Sequence, residues 1–227
     1  MHFLLLALLL LGVVVGPGLW VQRVLQRYSQ PEARYRVTGA ELARELLDAH
    51  GLRQVRVEAT ASGDHYDPGE KAVRLARERF DGRSLSAITV AAHEVGHAIQ
   101  DRDGYAPLRA RTRLIGAIRP LQRLGAGLLM ASPFVGMVTR VPGMGLLTLA
   151  GGLLSLGSST LVHLITLPTE FDASFARALP MLERSGYLYA VDPPHARRIL
   201  RAAALTYVAA ALMSLVNIAQ WWAILRR

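Results

Sequence analysis

Two histidines four residues apart with an acid directly after the first, His93-Glu94-Val95-Gly96-His97, are the residues whose types and spacing could do chemistry in this chain. Residues at i and i+4 share one face of a helix, so two imidazoles can grip one metal from successive turns. Glu94 lies about 100° further round the helix, within reach of a water at that metal but not of the metal itself. Two neutral nitrogen ligands and a carboxylate base are the working parts of a zinc hydrolase. The competing reading is a pair of satisfied core histidines, but burying two imidazoles and a carboxylate in an alanine-rich helix without a metal is costly. The chain contains no cysteine. A thiolate site is therefore excluded, and any further ligand must be His, Asp or Glu.

The elements around the motif must hold it in place. Small and apolar residues dominate from Ser86 to Ala98, which predicts a buried helix, with Ser84 as its N-cap after the break at Asp81-Gly82-Arg83. Gly96 leaves the backbone of that helix open to close approach by a strand or a substrate. Val55 to Thr60 alternates apolar and polar residues, and Ala72 to Ala76 can return beside it. The expectation is a short β-hairpin closed by the turn-rich Asp64-His65-Tyr66-Asp67-Pro68-Gly69. Its edge could hold an extended peptide, or the hairpin could simply cover the helix. His65 and Tyr66 are candidate donors to an oxyanion, with ordinary turn chemistry as the alternative. Thr38 and Glu41 have capping-box spacing ahead of the apolar face Leu42, Leu46 and Leu47, and Gly51 ends that helix.

Composition points to a membrane. Of 227 residues 52% are hydrophobic, mean hydropathy is +0.26, and several apolar runs are long enough to span a bilayer. The expected fold class is mainly α and integral to the membrane. About four transmembrane helices would accompany a small α+β zincin-like domain carrying the H-E-x-x-H helix. The expected division is 1–22 as an anchor, 23–120 as the metallopeptidase domain and 121–167 as two helices in a hairpin broken at Arg140, Pro142 and Gly143. A polar segment over 168–201 and a last helix over 202–227 complete it. The net charge of +9 is not interleaved with aromatics on any nucleic-acid module, so nucleic acid is not an expected partner. A lipid bilayer is. Arg23, Arg27, Arg119, Arg123 and Arg201 flank the apolar runs, which predicts a site facing the cytoplasm; the expected location is a bacterial inner membrane.

A catalytic zinc takes three protein ligands, and the motif supplies two. His65, His163 and His195 are each available. Glu170 lies where the third apolar run ends, on the metal helix's side of the membrane in a four-span topology; its alternative role is to cap a helix after Pro168. The runs Asp64-His65-Tyr66-Asp67-Pro68, Asp81-Gly82-Arg83-Ser84-Leu85, His93 to Gln100, Gly104-Tyr105-Ala106-Pro107-Leu108 and Leu167 to Ser174 resemble the YugP-type family of membrane-bound neutral zinc metallopeptidases. The likeness continues through Ala202 to Ala210. More distantly the order of elements is similar to the HtpX and CAAX prenyl endopeptidases, whose later segment supplies a third ligand as Glu-x-x-x-Asp. That resemblance implies Glu170 as the third ligand. Ser174 stands where the Asp would be, and Asp172 is expected to take over its role of orienting a ligand. The resulting expectation is a gluzincin-like endopeptidase with one zinc ion per chain. Glu94 would be its base, and protein or peptide segments in or near the membrane its substrates. The alternative is a non-catalytic scaffold in which zinc only joins two segments, and Glu94 is the residue such a scaffold would not need.

Overall fold

A computed structural model describes residues 2–225, with side chains described from 12 to 212 except at 121, 129, 133, 136, 142, 153–157 and 159–161. The chain divides into two compact units: Gly18–Arg109 with Leu167–Thr206, and Met1–Pro17 with Ala110–Thr166 and Tyr207–Arg227. The helices are α1 (His2–Arg27), α2 (Gly39–Ala49), α3 (Arg77–Phe80), α4 (Leu85–Arg102), α5 (Ala106–Thr139), α6 (Pro142–Phe171), α7 (Leu179–Ser185) and α8 (Pro193–Leu225). A π-helix, Asp172–Ala178, joins α6 to α7. The strands are β1 (Arg56–Thr60), β2 (His65–Asp67) and β3 (Ala72–Ala76).

The first unit is built around α4. Every residue from Leu85 to Gln100 is buried, as a helix packed on all sides requires. The Ser84 hydroxyl accepts from the Ala87 N–H at 3.1 Å and starts it. On one flank lies α2, opened by the Thr38–Glu41 capping box, in which each side chain bonds the other residue's backbone N–H. Leu42 and Leu47 are fully buried beside Ile88, Leu182, Ile199 and Leu200. One apolar core thus takes in α2, α4, α7, the start of α8 and the end of α1.

The sheet departs from the expected hairpin. Its order is β1-β3-β2, with β1 parallel to β3 and β2 antiparallel to it. The stretch read as a turn contains the middle strand in sequence, β2, so β1 and β3 are not a hairpin; β2 and β3 are. Three residues of strand between two turn-rich stretches are too few to show alternation. Across the outer face, Arg74 pairs with Glu58 at 3.0 Å and Asp67 at 2.8 Å, tying all three strands. Val73, Leu75 and Tyr66 turn inward and are buried.

The second unit corrects the fold class. Helices stand where the apolar runs stand, and Arg140, in the left-handed region at φ 54°, separates α5 from α6. Among the described residues, however, no helix is long and apolar enough to cross a membrane, so the expectation of about four transmembrane helices is overturned. A span needs roughly 20 consecutive apolar residues. In α5, Arg119 and Arg123 stand ahead of the apolar part and shorten its uncharged length. The Phe3–Leu11 part of the expected anchor and the tryptophans at 221 and 222 lie outside the described side chains. What this unit does show is apolar exposure: Leu124, Met130, Phe134, Met137, Val138 and Leu147 are all more than half exposed.

Candidate metal centre

His93 and His97 leave α4 one turn apart, their ring centroids 4.8 Å from each other and their planes at 79°. Facing them is Glu170, near the end of α6. Its Oε2 is 3.2 Å from His93 Nε2 and 3.3 Å from His97 Nε2. One ligand atom from each residue lies within 4.8 Å of the others, and all three residues are buried. Ligands about 2.0–2.1 Å from a tetrahedral zinc lie about 3.3–3.4 Å apart, so the carboxylate already stands at ligand spacing from both nitrogens.

The chemistry of the donor set agrees. Gln100 is fully buried, and its Nε2 donates to the Thr169 carbonyl at 2.8 Å and to Asp172 Oδ2 at 2.7 Å. Both partners only accept, which fixes the amide with Oε1 toward His97 Nδ1 at 2.9 Å. His97 therefore carries its proton on Nδ1. Ser174 Oγ donates to the Leu200 carbonyl at 3.3 Å and accepts from His93 Nδ1 at 3.0 Å, giving His93 the same tautomer. Two Nε2 lone pairs and a carboxylate then converge on one buried point. Burial alone would push the Glu170 carboxyl up; with the rings protonated at Nε2 as well, in place of a metal between them, the pull of His97 and the hydrogen bonds of His93 and His97 outweigh it and hold the group well below the usual range. A cation among the three atoms, whether proton or metal, is what lets this carboxylate stay ionised away from water.

Two features bring Glu170 to α4. Pro168 removes one N–H from the ladder of α6 just before the ligand, and the helix then widens into π geometry, with the Leu179 N–H bonding Ser174 O. Glu170 and Ser174 lie one turn apart and take the two nitrogens of His93 between them. At the contact, a Cβ on Gly96 would lie 2.7 Å from the Ala173 carbonyl oxygen. Gly96 thus does open α4 to close approach, but what approaches is the π-helix. Arg177 ties the far side, reaching Asp172 at 2.8 Å and Asp103 at 2.6 Å.

The remaining candidates are placed as follows. Glu94 is buried on α4, directly after His93. Asp172 meets the site through Gln100 rather than through a histidine. The Tyr66 hydroxyl donates to Asp101 Oδ2 at 2.7 Å, and burial followed by that bond pushes its pKa up. His65 Nδ1 sits 2.9 Å from the Gly63 carbonyl in its own loop. The other possible ligands are elsewhere: His195 is bonded to Tyr28 at 2.9 Å, and the His163 ring lies 5.8 Å from that of Tyr207. Gln100 and the orienting role of Ser174 were missed in the sequence. Gln100 follows His97 by three residues, a spacing that puts both on one helix face, and that signal was available.

The family described as "Putative neutral zinc metallopeptidase" matches the chain over residues 3–226. A Bacillus subtilis protein named "Putative membrane protease YugP" is 38% identical over 226 residues, covering 96% of this chain and 94% of that one. No solved structure matches.

Proposed function

Because the chain belongs to this family of neutral zinc metallopeptidases, we propose that it is an endopeptidase in which His93, His97 and Glu170 hold one zinc ion and Glu94 is the general base. The observation that carries the reading is the convergence of the three buried ligand atoms within 4.8 Å of one another. Zinc bound there would polarise a scissile carbonyl and acidify water. Glu94 takes the proton of the attacking water and delivers it to the leaving amine. Its burial keeps that transfer away from bulk solvent, while the Nδ1 hydrogen bonds of His93 and His97 hold both rings through the cycle. The substrate is an extended peptide. The sheet edge at β2, whose Tyr66 reaches Asp101 on α4, is the strand that would pair with it.

The proposed workplace is a membrane surface on the cytoplasmic side. In support are the word "membrane" in the relative's name, the exposed apolar side chains of α5 and the net charge of +9, which suits anionic lipid. Recovery of the protein only in the soluble fraction of lysed cells would overturn this part.

Glu94→Gln tests the chemistry. Because Glu94 is not a ligand, the variant should keep its zinc and lose peptide hydrolysis by at least about a hundredfold. Full hydrolysis by the zinc-loaded variant would remove Glu94 from the mechanism. A zinc-loaded wild-type protein that cleaves nothing would instead favour the non-catalytic scaffold.

A further inference from the structure

We propose that Gln100 is a positioning residue: its one buried amide fixes the ring of His97 and the register of the Glu170-bearing segment together. The inference rests on the metal site described above but concerns a residue that is neither ligand nor base.

A glutamine amide offers two N–H donors and an acceptor oxygen. Gln100 uses both donors and its oxygen, with no solvent exposure. The oxygen takes the Nδ1 proton of His97, which directs the Nε2 lone pair of that ring at Glu170. One donor holds the Thr169 carbonyl, part of the peptide unit that continues into Glu170. The other holds the Asp172 carboxylate, two residues beyond the ligand. The segment carrying Glu170 is thus gripped on both sides of the ligand by the side chain that orients His97. The 3.3 Å between His97 Nε2 and Glu170 Oε2 is the distance this arrangement sets.

Chemistry explains why the residue is an amide. A glutamate here could still accept from His97, but it has no donors. It would leave the Thr169 carbonyl without its bond and set a second negative charge beside Asp172, which Arg177 already neutralises at 2.8 Å. A leucine would fill the space and make none of the three bonds. Ser174, on the Glu170-bearing segment itself, supports His93 from a single hydroxyl, which also donates to the Leu200 carbonyl. Gln100 differs in reaching out from α4, holding the ring of His97 and both sides of Glu170 with one amide.

The test is Co2+ binding to the full-length, metal-stripped protein, read by affinity and by visible absorption, which reports ligand geometry without requiring turnover. Gln100→Leu and Gln100→Glu should each weaken Co2+ binding about 10–100-fold and alter the absorption bands, with helical content unchanged by circular dichroism. Gln100→Glu combined with Asp172→Asn reverses donor and acceptor across that one contact and removes the like-charge pair. It should recover about tenfold of the lost affinity, a rescue that a general packing role does not produce. If Gln100→Leu fails to fold, the comparison of Gln100→Glu with the double variant carries the decision. Wild-type affinity and spectrum in either single variant, or a double variant no better than Gln100→Glu, would overturn the proposal. Failure of the metal reading itself looks different: the wild-type protein would then bind Co2+ no better than His93→Ala does.

Discussion

The two elements that bring the candidate metal ligands together are opposite in construction. α4 is a regular helix, capped at Ser84, buried on every side and rich in alanine, and it carries two ligands in one motif. The segment from Pro168 to Ala178 is irregular. It has a proline where the ladder should be continuous, a π-helix where α geometry should persist, and a single ligand. The first element sets two of the three candidate ligand positions; the second is fitted to it by Gly96, Gln100 and Arg177. The difference teaches that the regular element can specify two ligands by periodicity alone, whereas the third needs contacts from outside its own helix.

Removing the ligand from the irregular element should have the largest effect. Glu170→Ala leaves His93 and His97 alone, and a catalytic zinc needs three protein ligands. Zinc affinity should fall by at least about a thousandfold, beyond the roughly 10–100-fold expected for a residue that only orients a ligand. Competition with a chromophoric chelator measures it. Unchanged affinity would mean the third ligand comes from elsewhere.

Next comes the seam between the two elements. In Gly96→Ala the new methyl must displace the Ala173 carbonyl from 2.7 Å, and that carbonyl belongs to a backbone packed without solvent access. Overpacking of this kind costs about 1–3 kcal/mol. Ser174 lies in the π-helix and Glu170 two residues before it, so both should shift with Ala173, and the variant should lose both stability in urea and zinc affinity. Loss of stability with zinc affinity intact would show that the ligand is positioned independently of the seam.

This asymmetry also governs what was legible beforehand. The shared face of His93 and His97 was readable because a period of 3.6 residues turns a four-residue spacing into one face. The caps at Thr38 and Ser84 were readable for a similarly local reason, since a hydroxyl near the first turn needs no partner from far away. Glu170 required the resemblance: nothing in its neighbours says that the chain returns to α4 after so long a separation. β2 was missed because its three residues lie among turn formers, and its strand character comes from pairing with β3. The expectation of membrane spans came from hydropathy, which counts apolar residues over a run, whereas among the described residues no helix is both long and apolar enough to cross a membrane. Asp172 was expected to orient a ligand; it bonds Gln100 instead, a contact that depends on the π-helix, and no sequence pattern announces that widening.

Ser174→Ala sharpens the comparison by one step. His93 Nδ1 loses its acceptor, while Glu170 keeps its place through Gln100. The expected loss of zinc affinity is about tenfold, at the lower end for an orienting partner. A loss larger than that of Gln100→Leu would reverse the ranking of the two supports.

The smallest effect is expected at Arg177, where the irregular element is tied to the C-terminal end of α4. Its guanidinium bonds Asp172 at 2.8 Å and Asp103 at 2.6 Å. Hydrogen bonds from Arg177 and then Arg102 hold the Asp103 carboxyl below its usual range, against a smaller opposing effect of burial. A carboxyl lowered in the folded state stabilises that state above its unfolded pKa, and the contribution is lost as pH falls through the folded value. Asp103 is 38% exposed at its side chain, so solvent screens the pair. Arg177→Gln should therefore cost only about 0.5–1 kcal/mol at neutral pH. Urea unfolding of the metal-free protein, wild type against variant, measures this without mixing in zinc release. The gap between the two should be present at pH 7 and shrink as pH falls below about 3.9, the ordinary Asp value. A gap that stays constant down to pH 3 would mean that Arg177 acts through packing on Tyr105, whose ring it approaches at 5.7 Å, and not through its carboxylates.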